Sequence, residues 1–413
     1  MSTYPLHLFE ATGIELEYMI VDRTSLAVRP VADQVLAAQA GKIVSDVELG
    51  PIAWSNELVL HVIELKSNGP APRLSGLAET FTEHIGRINT LLAPLEGRLM
   101  PGACHPWMDP ATETVLWPHE YSPVYEAYNR IFDCRGHGWS NLQSLHINLP
   151  FCGDEEFGRL HAAIRLLLPI MPALTASSPI LDGRRTGFLD SRMEVYRHNS
   201  EKIPSVAGRI IPEPVYDHAA YDREIFQRMY ADIAPHDPEG TLQEEFLNAR
   251  GAIARFDRGA IEIRVLDVQE CPAADLAGAA LITATLKALC AGQWCGLDRI
   301  KSFDTGMLAD LFMSVIKDGD AALIDHGPYL EALGLNGAPR RAGEVWQHLA
   351  AATARFNSDW QDPLLAKAGQ ALLEKGCLAR RIDTALNGEL RREKLFEVYG
   401  RLCDCLAEGK MFE

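Results

Sequence analysis

The chain has 413 residues, with 39 Lys+Arg against 56 Asp+Glu, a formal net charge of −17, and 47% hydrophobic residues. That length and composition exclude a disordered chain and give a soft prior of one to three domains around a large core. The acid excess argues against duplex nucleic acid and an anionic membrane surface as partners, but it leaves open a small anionic molecule held through metal cations.

The first expected element is a strand over 13–22, with Ile14, Leu16, Tyr18 and Ile20 on one face and Glu15 and Glu17 on the other. A second strand, 58–66, is apolar on both faces at Leu58, Leu60 and Val62 and carries Glu64 inward. The spacing of Leu77, Phe81, Ile85, Ile88, Leu92 and Leu95 predicts a helix over 75–95 with Ser75 as its N-cap. In a third strand, 143–150, Leu145, Ile147 and Leu149 oppose Ser144, His146 and Asn148. Helices follow over 155–170 and 219–233. A fourth strand, 260–268, sets Ile261, Ile263 and Val265 against Glu262 and Arg264. Helices are then expected over 273–292, with Pro272 in the first turn, over 343–356, and as two more from about 363 to 408. Long segments separate the strands, so the class is α+β rather than a strict βαβ alternation. The expected organisation is one large domain over 1–413, with a sheet-bearing core in 1–300 and a mainly helical extension in 301–413.

The most apolar stretches, 162–181 and 273–291, are interrupted by Arg165, Pro169 and Pro172 and by Asp275 and Lys287, so no segment reads as transmembrane. The N-terminus shows no secretory pattern, and the nine cysteines form no C-x-x-C pair. A cytoplasmic location with reduced thiols is expected.

A single polar strand face would ordinarily be read as meeting water. Here four short faces carry Glu, Glu, His, Asn, Glu and Arg, and the expectation is that no lysine stands among them. Gathered on one sheet, such carboxylates raise one another's pKa or need cations. Oxygen donors with one imidazole and no thiolate suit Mg²⁺ or Mn²⁺, which complete their coordination with substrate phosphates. No P-loop, zincin or nucleophile-elbow motif is present, and Gly136-His137-Gly138 lacks the third glycine of a dinucleotide fingerprint. The bland readings are that Glu262 and Arg264 form an ion pair, that His105 and Trp107 shape a turn, and that the cysteines are small core hydrophobes.

Six segments, taken in order, resemble the glutamate–cysteine ligase type 2 (carboxylate–amine ligase) family, which is related to glutamine synthetase. They are Gly13-Ile14-Glu15-Leu16-Glu17; Glu57 to Glu64 and on to Pro70; Gly102 to Pro106 with Asp109-Pro110; Gln143 to Asn148; Thr175 to Pro179 with Gly183, Thr186-Gly187 and Ser191-Arg192; and Ile261 to Arg264 with Asp267. The resemblance implies a curved antiparallel sheet, as in the catalytic domains of glutamine synthetase and the guanidino kinases, with a concave active-site face and helices behind it. It implies ATP and Mg²⁺ (or Mn²⁺) as cofactors. It also implies small-molecule substrates, a glutamate-like acid and an amino acid or other amine, joined as a γ-glutamyl amide through an acyl phosphate, in a reaction like that of glutathione biosynthesis. Carried over by position, the metal ligands are Glu15, Glu17, Glu57, Glu64, His146 and Glu262. Arg264 and Arg192 are the catalytic and phosphate-contacting groups, with Gln143, Asn148 and Ser178 as further binding residues. Glu57 and Glu64 are seven apart, so Glu57 must reach the site from a lead-in loop or across a bulge. A guanidino-kinase-type phosphotransferase and a non-catalytic nucleotide-binding module remain alternatives. The amine and the oligomeric state, including a homo-oligomer, stay open.

Overall fold

The computed structural model describes residues 5–413. Its main sheet has eight antiparallel strands: β1 (Gly13–Asp22), β2 (Asp46–Leu49), β3 (Ile52–Asn56), β4 (Val62–Ser67), β5 (Gly97–Met100), β6 (Ser144–Pro150), β7 (Ala252–Arg255) and β8 (Ala260–Asp267). Their order is β2-β3-β4-β1-β6-β8-β7. One edge of β1 is shared: Gly13–Leu16 pairs with β6, and Met19–Asp22 pairs with β5.

All four expected strands lie in this sheet. The second is shorter than expected, because Leu58–His61 forms a turn joining β3 to β4 and the strand begins only at Val62. The strands that periodicity missed are four or five residues long, and every residue of β3 is buried, so it shows no alternation to read. A hairpin turn at Gly50, with φ 76°, joins β2 to β3.

The apolar side chains of the sheet form one core face: Ile14, Leu16, Tyr18 and Ile20 of β1, Ile63 and Leu65 of β4, Leu145, Ile147 and Leu149 of β6, and Ile261 and Ile263 of β8. Helices Leu77–Leu92, Gly153–Leu167 and Pro272–Cys290 contribute to that core. Burial of each such side chain contributes about 1.5–3 kcal/mol. Helix Pro272–Cys290 is long and apolar enough to cross a membrane by length and composition, but its most apolar window is 89% buried inside the fold. It packs among helices Leu77–Leu92, Gly153–Leu167 and Pro363–Lys375.

Several helix boundaries differ from expectation. Ser75 is not the cap of the helix that starts at Leu77; that position is Gly76 in the left-handed region. The free N–H groups there go to distant carboxylates: Leu74 N donates to Asp359 (2.9 Å) and Gly76 N to Asp362 (3.0 Å). The expected 219–233 helix is interrupted by a wider turn over Asp222–Phe226. The expected two C-terminal helices are three, Pro363–Lys375, Leu378–Leu386 and Arg392–Glu408, because Gly376 (φ 79°) and the Asn387-Gly388 pair (φ 47° and 83°) stop the chain.

The last two helices cover part of the other sheet face. Met19 and Val21, which follow Glu15 and Glu17 on that face, pack with Met100, Leu378, Ile382, Leu395, Val398 and Tyr399. A buried ion pair secures the C-terminal end: Arg381 bonds both oxygens of Glu270 and the Phe412 carbonyl (2.9 Å), and Phe412 N donates back to Glu270 (3.3 Å). Removing one partner of such a pair strands a buried charge. Arg381→Met should therefore cost about 3–5 kcal/mol in urea unfolding. The double variant Arg381→Met/Glu270→Leu should cost clearly less than Arg381→Met alone.

Candidate functional site

The polar residues of four strands meet on the face opposite the core. Strand register brings Glu15 opposite His146 and Lys66, Glu17 opposite Glu64, and Glu262 opposite Asn148. His146 lies at the centre of the group. Its Nδ1 is 3.0 Å from Glu15 Oε2 and 3.8 Å from Glu262 Oε1, and its Nε2 is 3.9 Å from Glu17 Oε1 and 2.9 Å from Ser144 Oγ. Two donor groups result, each with its ligand atoms within 4.8 Å of one another: Glu15, His146 and Glu262, and Glu17, Glu64 and His146. The two share one imidazole.

The remaining carboxylate bonds fix each side chain. Asn148 Nδ2 donates to Glu15 Oε1 (3.1 Å), Ser144 N to Glu17 Oε2 (2.8 Å), Ser55 Oγ to Glu64 Oε1 (2.7 Å), and Arg264 Nε to Glu262 Oε1 (2.6 Å). Gly13 is part of this frame, because a Cβ there would stand 2.9 Å from Asn148 Cβ and displace the amide that holds Glu15.

The electrostatics follow from burial and crowding. Burial alone would raise the Glu15 carboxyl, but the hydrogen bond and charge of His146, with Lys66 and Arg264, outweigh it and hold it at about 2. Burial and then the Glu15 charge push Glu64 up to about 7, against the pull of Lys66 and Ser55. Burial and the charges of Glu17 and Glu64 push Glu57 well above the carboxylate range. Burial would lower His146, but Glu15, Glu17 and Glu262 together raise it.

Glu15, Glu17, Glu64, His146 and Glu262 are thus brought together, with Asn148 and Arg264 bonded to them. Glu57 stands apart from both donor groups, on the turn that follows β3, within charge range of Glu17 and Glu64. Gln143, fully buried just ahead of β6, is tied by its N–H to the Ala103 carbonyl (2.9 Å) and makes no side-chain bond to the carboxylates. The Ser178 hydroxyl is also fully buried and engaged: it donates to Asp267 Oδ2 (2.8 Å) and accepts from Arg192 N (3.0 Å). The side chain of Arg192 is only 3% exposed and lies behind Arg264, with Nη2 donating to the Arg264 carbonyl (2.9 Å).

The expectation that no lysine stands on this face is corrected by Lys66. It lies beside Glu64 (3.3 Å), Asp46 (3.1 Å) and Ser55 (2.9 Å). Its position two residues after Glu64 on one strand was the available signal. Burial would lower Lys66, but the Glu64 charge and the Asp46 bond raise it. Ser55 was missed with β3. Tyr125 was also missed; its hydroxyl accepts from Asn56 Nδ2 (3.0 Å) beside Glu57.

A family model described as glutamate–cysteine ligase family 2 matches residues 11–304. A protein of Archaeoglobus fulgidus is 29% identical over 401 residues, which cover 97% of this chain and 99% of its own length. The crystal structure of a glutamate–cysteine ligase from Francisella tularensis in complex with AMP aligns with a TM-score of 0.64 at 13% identity, over 98% of this chain and 90% of that one. A bifunctional glutathione synthetase from Pasteurella multocida aligns at 0.51 and 11% identity, over 95% of this chain and 53% of that one. At these identities the solved structures speak for the fold. Because the family match takes in every carboxylate of the site together with His146, Arg192 and Arg264, the chain belongs to glutamate–cysteine ligase family 2, and so to the carboxylate–amine ligases.

Proposed function

We propose that this chain is an ATP-dependent ligase that joins the γ-carboxylate of glutamate, or a closely related acid, to an amine. The observation that carries the reading is the pair of donor groups sharing His146. Their chemistry is four carboxylates and one imidazole without a thiolate, which suits Mg²⁺ or Mn²⁺. Burial and then the Glu15 charge push Glu64 to about 7, and the second of these supports the same assignment, since cations relieve that repulsion. Glu15, Glu17, Glu64, His146 and Glu262 would hold the ions, with Glu57 close by. When bound, such ions supply charge neutralisation for a transferring phosphoryl group.

In this reading the acid takes the terminal phosphoryl group of ATP, giving ADP and an acyl phosphate. The amine then attacks the acyl carbon, expelling inorganic phosphate and losing one proton as the amide forms. The nucleophiles belong to the substrates, so the chain's own work is positioning and charge. Arg264 keeps its charge and, with Glu262 on Nε, offers the rest of its planar fork to phosphate oxygens. Asn148 and Ser144 keep the carboxylates and His146 in register.

The deciding experiment supplies ATP, Mg²⁺ and glutamate with each amino acid and small amine in turn, and follows phosphate release and product mass. Inorganic phosphate should appear only when acid and amine are both present. A stable phosphorylated product without phosphate release would instead make the chain a phosphotransferase. Glu262→Gln should lower ADP formation by about 100-fold or more while the fold is kept, since even outer partners of metal ligands are worth 10–100-fold.

Glu64→Gln should have opposite effects on stability and on metal binding. The Glu64 carboxyl sits at about 7 in the fold against 4.5 without its surroundings, so the folded state holds that proton more tightly. Stability is therefore lost as pH rises from 4.5 through 7, by about 3 kcal/mol in all. The metal-free variant should be more stable than the parent at pH 8 and indistinguishable from it at pH 4.5, as read by urea unfolding. Mn²⁺ affinity, read by calorimetry, should fall in the same variant.

A further inference from the structure

We infer that Arg192 and Asp267 are positioning residues that hold a bulge in β8 and, through it, aim Arg264. The inference rests on the reading of Arg264 as the phosphate contact.

Pairing between β8 and β6 runs in register to Ile263 opposite Ile147 and resumes at Leu266 opposite Leu145. Arg264 and Val265 therefore stand together against His146 alone, which is a bulge of one residue. The consequence is a change of face. Glu262, before the bulge, and Arg264, its first residue, look onto the polar side. After it Leu266 joins the core and Asp267 takes the polar side, opposite Ser144. The extra residue is accommodated by Gly251, where a Cβ would stand 2.5 Å from Val265 Cγ1. The Arg264 N–H donates to the Gly251 carbonyl (2.9 Å).

The Arg264 carbonyl has its partner in Arg192 Nη2 at 2.9 Å. The other end of that guanidinium, Nη1, is 3.6 Å from Asp267 Oδ1. That contact is an ion pair, while Nη1 donates to Met193 Sδ (3.3 Å); fully buried Asp267 is held through Oδ2 by three hydrogen bonds, from Ser177 N (2.8 Å), Ser178 Oγ (2.8 Å) and Ser177 Oγ (3.4 Å). Asp190 closes the arrangement by capping the helix Ser191–Tyr196 through Met193 N (2.8 Å). Burial and then the Asp267 charge push the Asp190 carboxyl well above its ordinary value. Arg192 thus spans both ends of the bulge, Arg264 on one side and Asp267 on the other. Arg264 has a side chain 25% exposed against 3% for Arg192, so it is the arginine that can reach a ligand.

The test uses the full chain with Arg192→Lys, Asp267→Asn, Arg264→Ala and the double variant Arg192→Lys/Arg264→Ala. Lysine keeps the charge of Arg192 but lacks the planar fork that bonds the Arg264 carbonyl while pairing with the Asp267 charge. Hydrogen exchange in the absence of ligand should rise by about tenfold or more in peptides covering 260–268, the scale of one lost hydrogen bond, and stay unchanged over 13–22. Unchanged exchange over 260–268 in both variants would overturn the inference. In turnover, Arg192→Lys should lower kcat for ADP formation by about 10–100-fold with KM for glutamate and ATP little changed. The double variant should be no slower than Arg264→Ala alone. Losses that multiply, or a rise in KM with kcat kept, would show Arg192 acting on its own and overturn it as well. If the parent chain releases no ADP with any acid and amine, the ligase reading fails, and the exchange result still decides whether the clamp exists.

Discussion

Repulsion among like charges is the constraint around which the site is arranged. Four carboxylates meet around one imidazole on a sheet face, and a fifth, Glu57, stands near enough to feel two of them. Two unit charges 4 Å apart repel by about 4 kcal/mol at the effective dielectric of a protein surface. The protein offsets this one oxygen at a time, with Asn148 and His146 on Glu15, the Ser144 N–H on Glu17, Ser55 and Lys66 on Glu64, and Arg264 on Glu262. The offset is partial. Burial and then the neighbouring charges still push Glu64 up to about 7 and Glu57 well above the carboxylate range.

That arrangement needs a rigid base, and β1 shows how the base is made. Its even-numbered residues from Ile14 to Ile20 are core, whereas its odd-numbered ones change character halfway: Glu15 and Glu17 belong to the site, and Met19 and Val21 lie under the C-terminal helices. The change coincides with the change of partner from β6 to β5. One strand is thereby anchored in two apolar clusters while it presents two carboxylates. The Glu270–Arg381 pair fastens the helices that make the second anchor, so Arg381, more than a hundred positions from any of the carboxylates, contributes to holding them.

How much of this could be read from the chain depends on the range of the interaction concerned. Alternation over 14–20, 144–148 and 261–264 gave the sheet, its two faces and most of the donor set, because the period of a strand is local. β3 could not be read that way, since a strand buried on every residue has no alternation, and Ser55 went with it. The cap of helix Leu77–Leu92 depends on Asp359 and Asp362, nearly three hundred residues away. Lys66 was legible in principle and was overlooked. Ser178 and Gln143 were placed in the site by motif alone, and their burial and bonding tie them to the framework.

Asp267 shows what strict alternation cannot deliver. It lies three residues after Arg264, so an unbroken strand would put it on the opposite face, among Leu145, Ile147 and Ile263. A carboxylate there would have no partner to replace water, at a cost of several kcal/mol. The one-residue bulge removes that conflict by adding a step exactly between the two charges it must keep on one side. It also separates their tasks. Glu262, ahead of the bulge, and Arg264, at its start, face the carboxylate group, whereas Asp267, beyond it, turns to Arg192 and the Ser177-Ser178 turn. The odd spacing of the motif is therefore intelligible as geometry: a strand that must supply one cation to a site and one anion to the support behind it can do both only by breaking its own period.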